Sequence, residues 1–300
     1  MSQLILFGAW ASFGVGSVVP NPPPLGNKLF TELVRHFPHT WGAMPAEYSD
    51  LFATNFEVGM EQIWSHESMW IAQLMQDMAI YFAQFGTRNP DNSLYSRLVR
   101  HINRRRLRTT VTLSTLNYEC LLDQSIWNSG VGICYSGVPE PDQFRLLKLH
   151  GGCNFLPYQI GASRGVRFGS GVSFEAGIRY ARSAEEIKTF CRGNNVLPPA
   201  MSIFMPGKPV QISPGAIGQI QREWQMQVAK ANDIAVIGVF PNSLDRHIWD
   251  PLATSAGRLH YVGGQADFEG WRQKHRPNLP TVFVGETFEA SFEQIVNSVL

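Results

Sequence analysis

Charge is scarce in this 300-residue chain: Asp, Glu, Lys and Arg together make up 16% of it, against roughly 25% in ordinary soluble domains. The 25 basic and 24 acidic residues leave a formal net charge of +1. No global basic field therefore exists to draw the chain to nucleic acid or to an anionic membrane surface. Cysteine is sparse too. Cys120, Cys134, Cys153 and Cys191 include no C-x-x-C pair. That spacing argues against a zinc ribbon and, at this length, against a disulfide framework. A reducing, cytoplasmic setting is the simplest expectation. Internal repeats and low-complexity tracts are missing. Met1 to Val19 is rather apolar, but Gly8, Gly14 and Gly16 interrupt it, and no basic segment opens it. A buried strand running into a glycine-rich turn fits it better than a signal peptide or a membrane span. Apolar residues are plentiful at 44%, enough for a sizeable core and too many for intrinsic disorder.

The pattern along the chain alternates strands and helices. Leu4-Ile5-Leu6-Phe7 is a short apolar run stopped by Gly8, as expected of a central parallel strand. Gly8 to Gly26 carries four glycines and four prolines and reads as a long loop, of the kind that is often functional. Helical patterns follow at Asn27 to His36, throughout Phe56 to Phe85, and at Ser93 to Arg104, with Ser93 as an N-cap. Residues from about 28 to 105 thus form a helical insertion after the first strand. Further strands are predicted at 109–113, 145–149, 233–238, 258–262 and 280–284. Helices are predicted at 118–127, 184–191, 220–232 and 288–300. Six strands interleaved with helices predict an α/β fold: a doubly wound, Rossmann-like, mostly parallel sheet in one domain spanning 1–300.

In such sheets ligands bind beyond the carboxyl ends of the strands. Small, polar and titratable residues stand at those predicted ends: Gly8-Ala9-Trp10-Ala11-Ser12, Ser114-Thr115-Leu116-Asn117, His150-Gly151-Gly152 and Gly238-Val239. The first segment suits a phosphate, because glycine lets the backbone approach an anion, although it is not a regular G-x-G-x-x-G. Asn117 suits a water or a ribose hydroxyl, or alternatively a turn. His150 suits a general base near neutral pH, or alternatively a satisfied buried ring. Asp245, in the run Asp245-Arg246-His247, suits a ribose carboxylate or a helix start. The cluster Arg97, Arg100, Arg104, Arg105, Arg106 and Arg108 lacks interleaved aromatics and reads as a solvated helix end rather than a nucleic-acid patch. Ser65-His66-Glu67 has no following histidine at metal-ligand spacing.

Taken in order, four motifs resemble the sirtuin-like, silent-information-regulator type NAD-hydrolase domains of bacterial antiphage defence systems. They are Gly8-Ala9-x-Ala11-Ser12 with Pro24-Leu25-Gly26, then Thr112 to Glu119, then Lys148-Leu149-His150-Gly151, and Val236-Ile237-Gly238 followed by Asp245. They span nearly the whole chain. The resemblance implies a hydrolase that cleaves NAD, as substrate, into nicotinamide and ADP-ribose without a metal. It implies Asn117 and His150 as catalytic residues. It places the glycine-rich segment with Gly8, Ala9, Ala11 and Ser12 toward the NAD phosphates and Gly238 and Val239 on the adenosine side, with Thr115 and Asp245 also among the NAD-binding residues. It also implies an antiphage effector that depletes NAD and is restrained by assembly into a homo-oligomer or by a separate partner such as a hexameric ATPase. The chain ends soon after its last predicted helix, so no appended sensor domain is expected.

Departures from the family pattern shape the alternatives. Its Gly-Ala-Gly is Gly8-Ala9-Trp10 here, and an indole at that position crowds or reshapes the loop. Its Asn-Tyr-Asp is Asn117-Tyr118-Glu119. The four-cysteine zinc module of the protein-deacetylating relatives is missing, which shifts weight from peptide deacylation to NAD cleavage. The alternative from another class is a catalytically weak NAD- or ADP-ribose-binding subunit of a larger assembly.

Overall fold

The computed structural model describes residues 2–158, 167–169, 171–193 and 197–300. Seven strands form one sheet: β1 (Gln3–Phe7), β2 (Val111–Thr115), β3 (Gly132–Cys134), β4 (Gln143–Lys148), β5 (Asp233–Ile237), β6 (Arg258–Val262) and β7 (Thr281–Gly285). Their order is β7-β6-β5-β1-β2-β4-β3, and every neighbouring pair is parallel. The fold is α/β and Rossmann-like, with a helical insertion after the first strand. Leu4, Ile5, Leu6 and Phe7 have no solvent exposure, as a strand covered on both faces requires. In register, Phe7 faces Ile237 on one side and Thr115 on the other, and Thr115 faces Lys148. The loops after these strands therefore emerge at one level. The order reverses between β5 and β1, which makes that edge the switch point where open α/β sheets bind ligands.

Several local expectations are corrected. The segment after β1 is not all loop: Ala9–Phe13 forms a short helix, and Val18–Val19 pairs with Gly86–Thr87. Residues 56–85 are not one helix. Phe56–His66 and Ser68–Ala83 are separate, broken at Glu67, and Ala46–Thr54 precedes them. Asn55 caps the middle helix, its side chain accepting from the Glu57 and Val58 amides at 2.9 and 3.4 Å. The strand read at 109–113 lies two residues later, and β3 is an additional edge strand. The helix read at 220–232 runs Pro214–Lys230. Ser93 does cap helix Leu94–Arg104, accepting from the Ser96 amide, and Arg104, Arg105 and Arg106 are solvated at its end.

The insertion is held by aromatic packing. Trp41, Phe52 and Phe56 are buried together, and Phe30 stacks on Phe52 at 5.1 Å. Phe56 also meets Phe204 edge-on at 5.2 Å. That contact ties the insertion to the segment between β4 and β5. Trp224, fully buried on helix Pro214–Lys230, donates to Ser114 Oγ at 3.1 Å, and Ser114 donates to the Ile5 carbonyl at 3.0 Å. One hydrogen-bonded chain thus fixes that helix against β1 and β2.

Candidate functional site

A cleft of about 290 Å³ opens at the carboxyl edge of the sheet, above β1, β2 and β5. Ligand clefts begin near this size, at roughly 300 Å³. Its floor is set by two glycines. A Cβ on Gly8 would lie 2.4 Å from the Gly238 carbonyl oxygen, and one on Gly238 would lie 2.3 Å from the Ala11 nitrogen. Gly238 also has a φ of +68°, which a side chain disfavours. The Trp10 amide donates to the Gly238 carbonyl at 3.3 Å. The loops after β1 and β5 therefore touch backbone to backbone. Trp10 lines the cleft, 59% exposed and edge-on to Phe13, and the exposed Phe240 of the loop after β5 lines it too.

Asn117 follows β2. Its Nδ2 donates to the Gly8 carbonyl at 3.0 Å and to Ser12 Oγ at 2.8 Å, while its own amide donates to Thr115 Oγ1 at 3.0 Å. A carbonyl oxygen only accepts, so the contact with Gly8 fixes which way the Asn117 amide faces. Its Oδ1 has no protein partner among the described residues, and Asn117 lines the cleft. Ser12 is buried, donates to Glu119 Oε1 at 2.5 Å and receives the Tyr95 hydroxyl at 2.9 Å. The Glu119 carboxyl also accepts from the Leu121 amide at 2.5 Å. Burial pushes its pKa up, against the pull of those two donors. Asn117 is thus anchored through one nitrogen, with an acceptor to spare.

His150 follows β4 and is only 4% exposed. Its Nε2 lies 2.9 Å from His247 Nε2. Burial holds its pKa well below the usual 6.5, helped by His247 and Lys208; the Leu116 backbone acts the other way. His247 is also lowered, first by burial and then by Lys208, while Asp245 raises it. Both rings are therefore neutral at pH 7. Lys208, also buried, forms an ion pair with Glu57 and sits 4.4 Å over the Phe204 ring. Its φ of +45° is a left-handed conformation that costs a lysine roughly 1–2 kcal/mol, the kind of strain that clusters at functional sites. Asp245 opens helix Arg246–Thr254 without a side-chain capping bond. Burial raises its pKa, against Lys208 and His247.

Beneath the cleft lies a second polar group. Lys148 is fully buried, with Nζ 3.2 Å from Asp123 Oδ2, 2.8 Å from the Glu119 carbonyl and 3.3 Å from Asn154 Oδ1. Asp123 also accepts from the Tyr135 hydroxyl at 2.6 Å and from Asn154 at 3.2 Å. Burial works against the lysine's charge, but Asp123 and its other neighbours hold the pKa above the usual value. All four cysteines are free. Among the described residues, no group of three or more His, Cys, Asp or Glu gathers to hold a metal ion, and no helix is long and apolar enough to cross a membrane.

Of the residues singled out in the sequence, Gly8, Ala9, Ser12, Asn117, His150, Gly238, Val239 and Asp245 line this one cleft. Ala11 and Thr115 do not reach the lining: both are buried behind it. Sequence reasoning missed Glu57 and Lys208 altogether, and it touched His247 only as a neighbour of Asp245. Lys208 carried one weak signal, its place in Pro206-Gly207-Lys208-Pro209, a turn.

No protein-family model and no curated protein matches this sequence. Solved structures do. The chain is similar to a sirtuin studied for its substrate affinity, at 12% identity and a TM-score of 0.49, over 100% of this chain and 93% of that one. It is similar to a Sir2 homologue in complex with NAD, at 14% identity and a TM-score of 0.47, over 99% and 89%. A Sir2 homologue carrying a Phe-to-Ala change, in complex with ADP-ribose, aligns at 13% identity and 0.44 over 99% and 91%. At such identities the chemistry of the site has to be read from this chain's own residues.

Proposed function

We propose that this chain is an NAD glycohydrolase, cleaving the nicotinamide–ribose bond to give nicotinamide and ADP-ribose. The observation that carries this reading is the pairing, in one cleft at the sheet's switch point, of an Asn117 anchored through its nitrogen with a buried, neutral His150. Nicotinamide leaves as a neutral molecule from a cationic ring, so no acid is required. What the reaction needs is an oriented nucleophile, a base, and an environment tolerant of positive charge on the ribose. Asn117 Oδ1 holds a water or ribose hydroxyl by accepting its proton in a hydrogen bond. His150 takes up the proton, a contribution of about 100- to 10,000-fold. Asp245 brings a carboxyl group to the cleft lining, and Glu57 neutralises Lys208 there, which favours an oxocarbenium-like transition state. The motif order set out above supports NAD as the substrate, and an antiphage role with control by self-assembly follows from the same resemblance.

The test is nicotinamide release from NAD by the full chain over a range of protein concentrations. Wild type is expected to release nicotinamide, more steeply than linearly if assembly controls it. Asn117→Ala and His150→Ala are expected to lose about 100-fold or more. Full activity in either variant overturns the assignment. The second reading, a binding subunit without turnover, is favoured by Trp10 in the cleft lining. Tight ADP-ribose binding with no nicotinamide release would establish it instead.

A further inference from the structure

Helix Ala9–Phe13 divides its side chains between two environments. Ala11 and Ser12 are buried, and Ser12 is one of the two groups that anchor Asn117. Trp10 and Phe13 are exposed, at 59% and 45%. An indole left more than half in water forgoes the burial that stabilises large apolar side chains. The residue that carries it is nonetheless held in place. The Trp10 amide donates to the Gly238 carbonyl at 3.3 Å, and the Trp10 carbonyl accepts from the Gly14 amide at 3.1 Å. A Cβ on Gly238 would lie 3.0 Å from the Trp10 Cβ, so the loop after β5 leaves room for the stem of this side chain. Phe13 meets the indole edge-on at 5.9 Å. Phe240, two residues past Gly238, is 58% exposed and lines the same cleft as Trp10. The cleft thus joins two unlike surfaces. One carries Asn117 and His150, and the other carries exposed aromatic side chains on a restrained backbone.

We propose that Trp10 is a specificity-determining residue, an indole platform on which the adenine base of a dinucleotide stacks; the inference rests on the NAD-cleaving reading above. NAD carries two rings. Nicotinamide is bonded to the ribose on which Asn117 and His150 act, so it stays beside them. Adenine lies beyond the pyrophosphate, and it is the ring left for an aromatic surface on the exposed side of helix Ala9–Phe13. A purine has a π-face that an indole covers without a hydrogen bond to the base edge. Stacking takes that face and the indole out of water together. The consequence is a preference between substrates. NAD gains from Trp10, whereas nicotinamide mononucleotide has the same scissile bond and no adenine.

The experiment compares wild type with Trp10→Ala, Trp10→Leu and Trp10→Phe, each checked for folding by circular dichroism. Two quantities are read. One is the Kd for ADP-ribose by calorimetry. The other is the ratio of kcat/KM for nicotinamide release from NAD to that from nicotinamide mononucleotide. Stacking of a base on an aromatic side chain corresponds to about 5- to 150-fold in affinity. Trp10→Ala and Trp10→Leu are expected to weaken ADP-ribose by such a factor and to lower the ratio with it. Trp10→Phe keeps a ring and is expected to lose less than either.

Trp10→Leu fills space without a π-face, so wild-type affinity in that variant overturns the stacking. Tighter binding of ADP-ribose by Trp10→Ala overturns it as well, because the indole then crowds the cleft. An equal fall in kcat/KM for the two substrates overturns it too, because the indole then serves the nicotinamide half. Wild type that binds ADP-ribose and releases no nicotinamide overturns the NAD-cleaving reading alone, and the calorimetric series then decides the role of Trp10. Wild type without affinity for ADP-ribose overturns both.

Discussion

Replacing Lys148 by Met tests whether the buried polar group beneath the cleft is held by charge. Lys148 and Asp123 have no side-chain exposure, and their atoms lie 3.2 Å apart. Removing the lysine leaves Asp123 with the Tyr135 hydroxyl and the Asn154 amide as its remaining donors. Breaking one partner of such a pair costs about 3–5 kcal/mol, a large share of the roughly 5–15 kcal/mol that stabilises a domain. The double variant Lys148→Met with Asp123→Asn removes both charges and keeps an acceptor for Tyr135. What it still lacks are the lysine's bonds to the Glu119 carbonyl and Asn154 Oδ1, about 1 kcal/mol each. The double variant should therefore be less destabilised than Lys148→Met alone, at about 2–3 kcal/mol. Urea unfolding at pH 7 with an unchanged m-value compares wild type, Lys148→Met, Asp123→Asn and the double variant. The reasoning fails if Lys148→Met costs less than about 1 kcal/mol. It fails equally if the two single losses add to the double within about 0.5 kcal/mol.

Three further outcomes are expected. Gly238→Ala combines an unfavourable φ with a Cβ 2.3 Å from the Ala11 nitrogen, so it should cost well over the roughly 1–2 kcal/mol of φ strain alone. Gly137→Ala, at φ +89° with nothing within 4 Å, isolates that strain, and equal losses by thermal melting would remove the close approach of the two loops. Stability should fall as pH drops below about 6.5, because the unfolded chain protonates His150 and His247 there while the native rings resist it. The slope is at most about 1.4 kcal/mol per pH unit for each ring, and His150→Gln with His247→Gln should flatten it. Asp77, Asp245 and Glu119, raised by burial, act in the opposite sense at lower pH, so urea midpoints are compared between about pH 7 and 5.5; a flat or rising profile toward acid refutes the assignment. Glu57→Gln removes the carboxylate from Lys208, so ADP-ribose should bind more tightly, with a steeper salt dependence by calorimetry. Unchanged affinity at low salt would mean that Lys208 does not face the ligand.

Where local chemistry alone decides structure, the sequence was legible. Leu4–Phe7 and Ile234–Ile237 are apolar runs ended by glycine, and both are buried central strands. Ser93 caps its helix because its side chain reaches an amide three residues on. Elements that depend on distant packing were harder to see. Helix Ala9–Phe13 lies in a stretch dense in glycine and proline, and it stands on the contact of Gly8 with Gly238, 230 positions away in the chain. β3 is three residues long and begins with glycine, too short to show a period. The break at Glu67 carries neither proline nor glycine, and nothing in the local pattern announces it.

The same division runs through the site. Asn117 and His150 stand just past strand ends, where a parallel sheet presents its chemistry, so position along the chain was enough to single them out. Their partners come from elsewhere: Glu57 from the first turn of an insertion helix, Lys208 from a turn between β4 and β5, and His247 from the helix after β5. No spacing rule links these three, because the sheet order alone brings their elements to one edge. Yet they determine what the legible residues do. Without Lys208 and His247 beside it, His150 would lose two of the influences that keep its ring neutral. Without Glu57, Lys208 would present an unpaired cation to the cleft. In the proposed reaction the strand ends supply the reacting groups, and the long-range contacts set the protonation of His150.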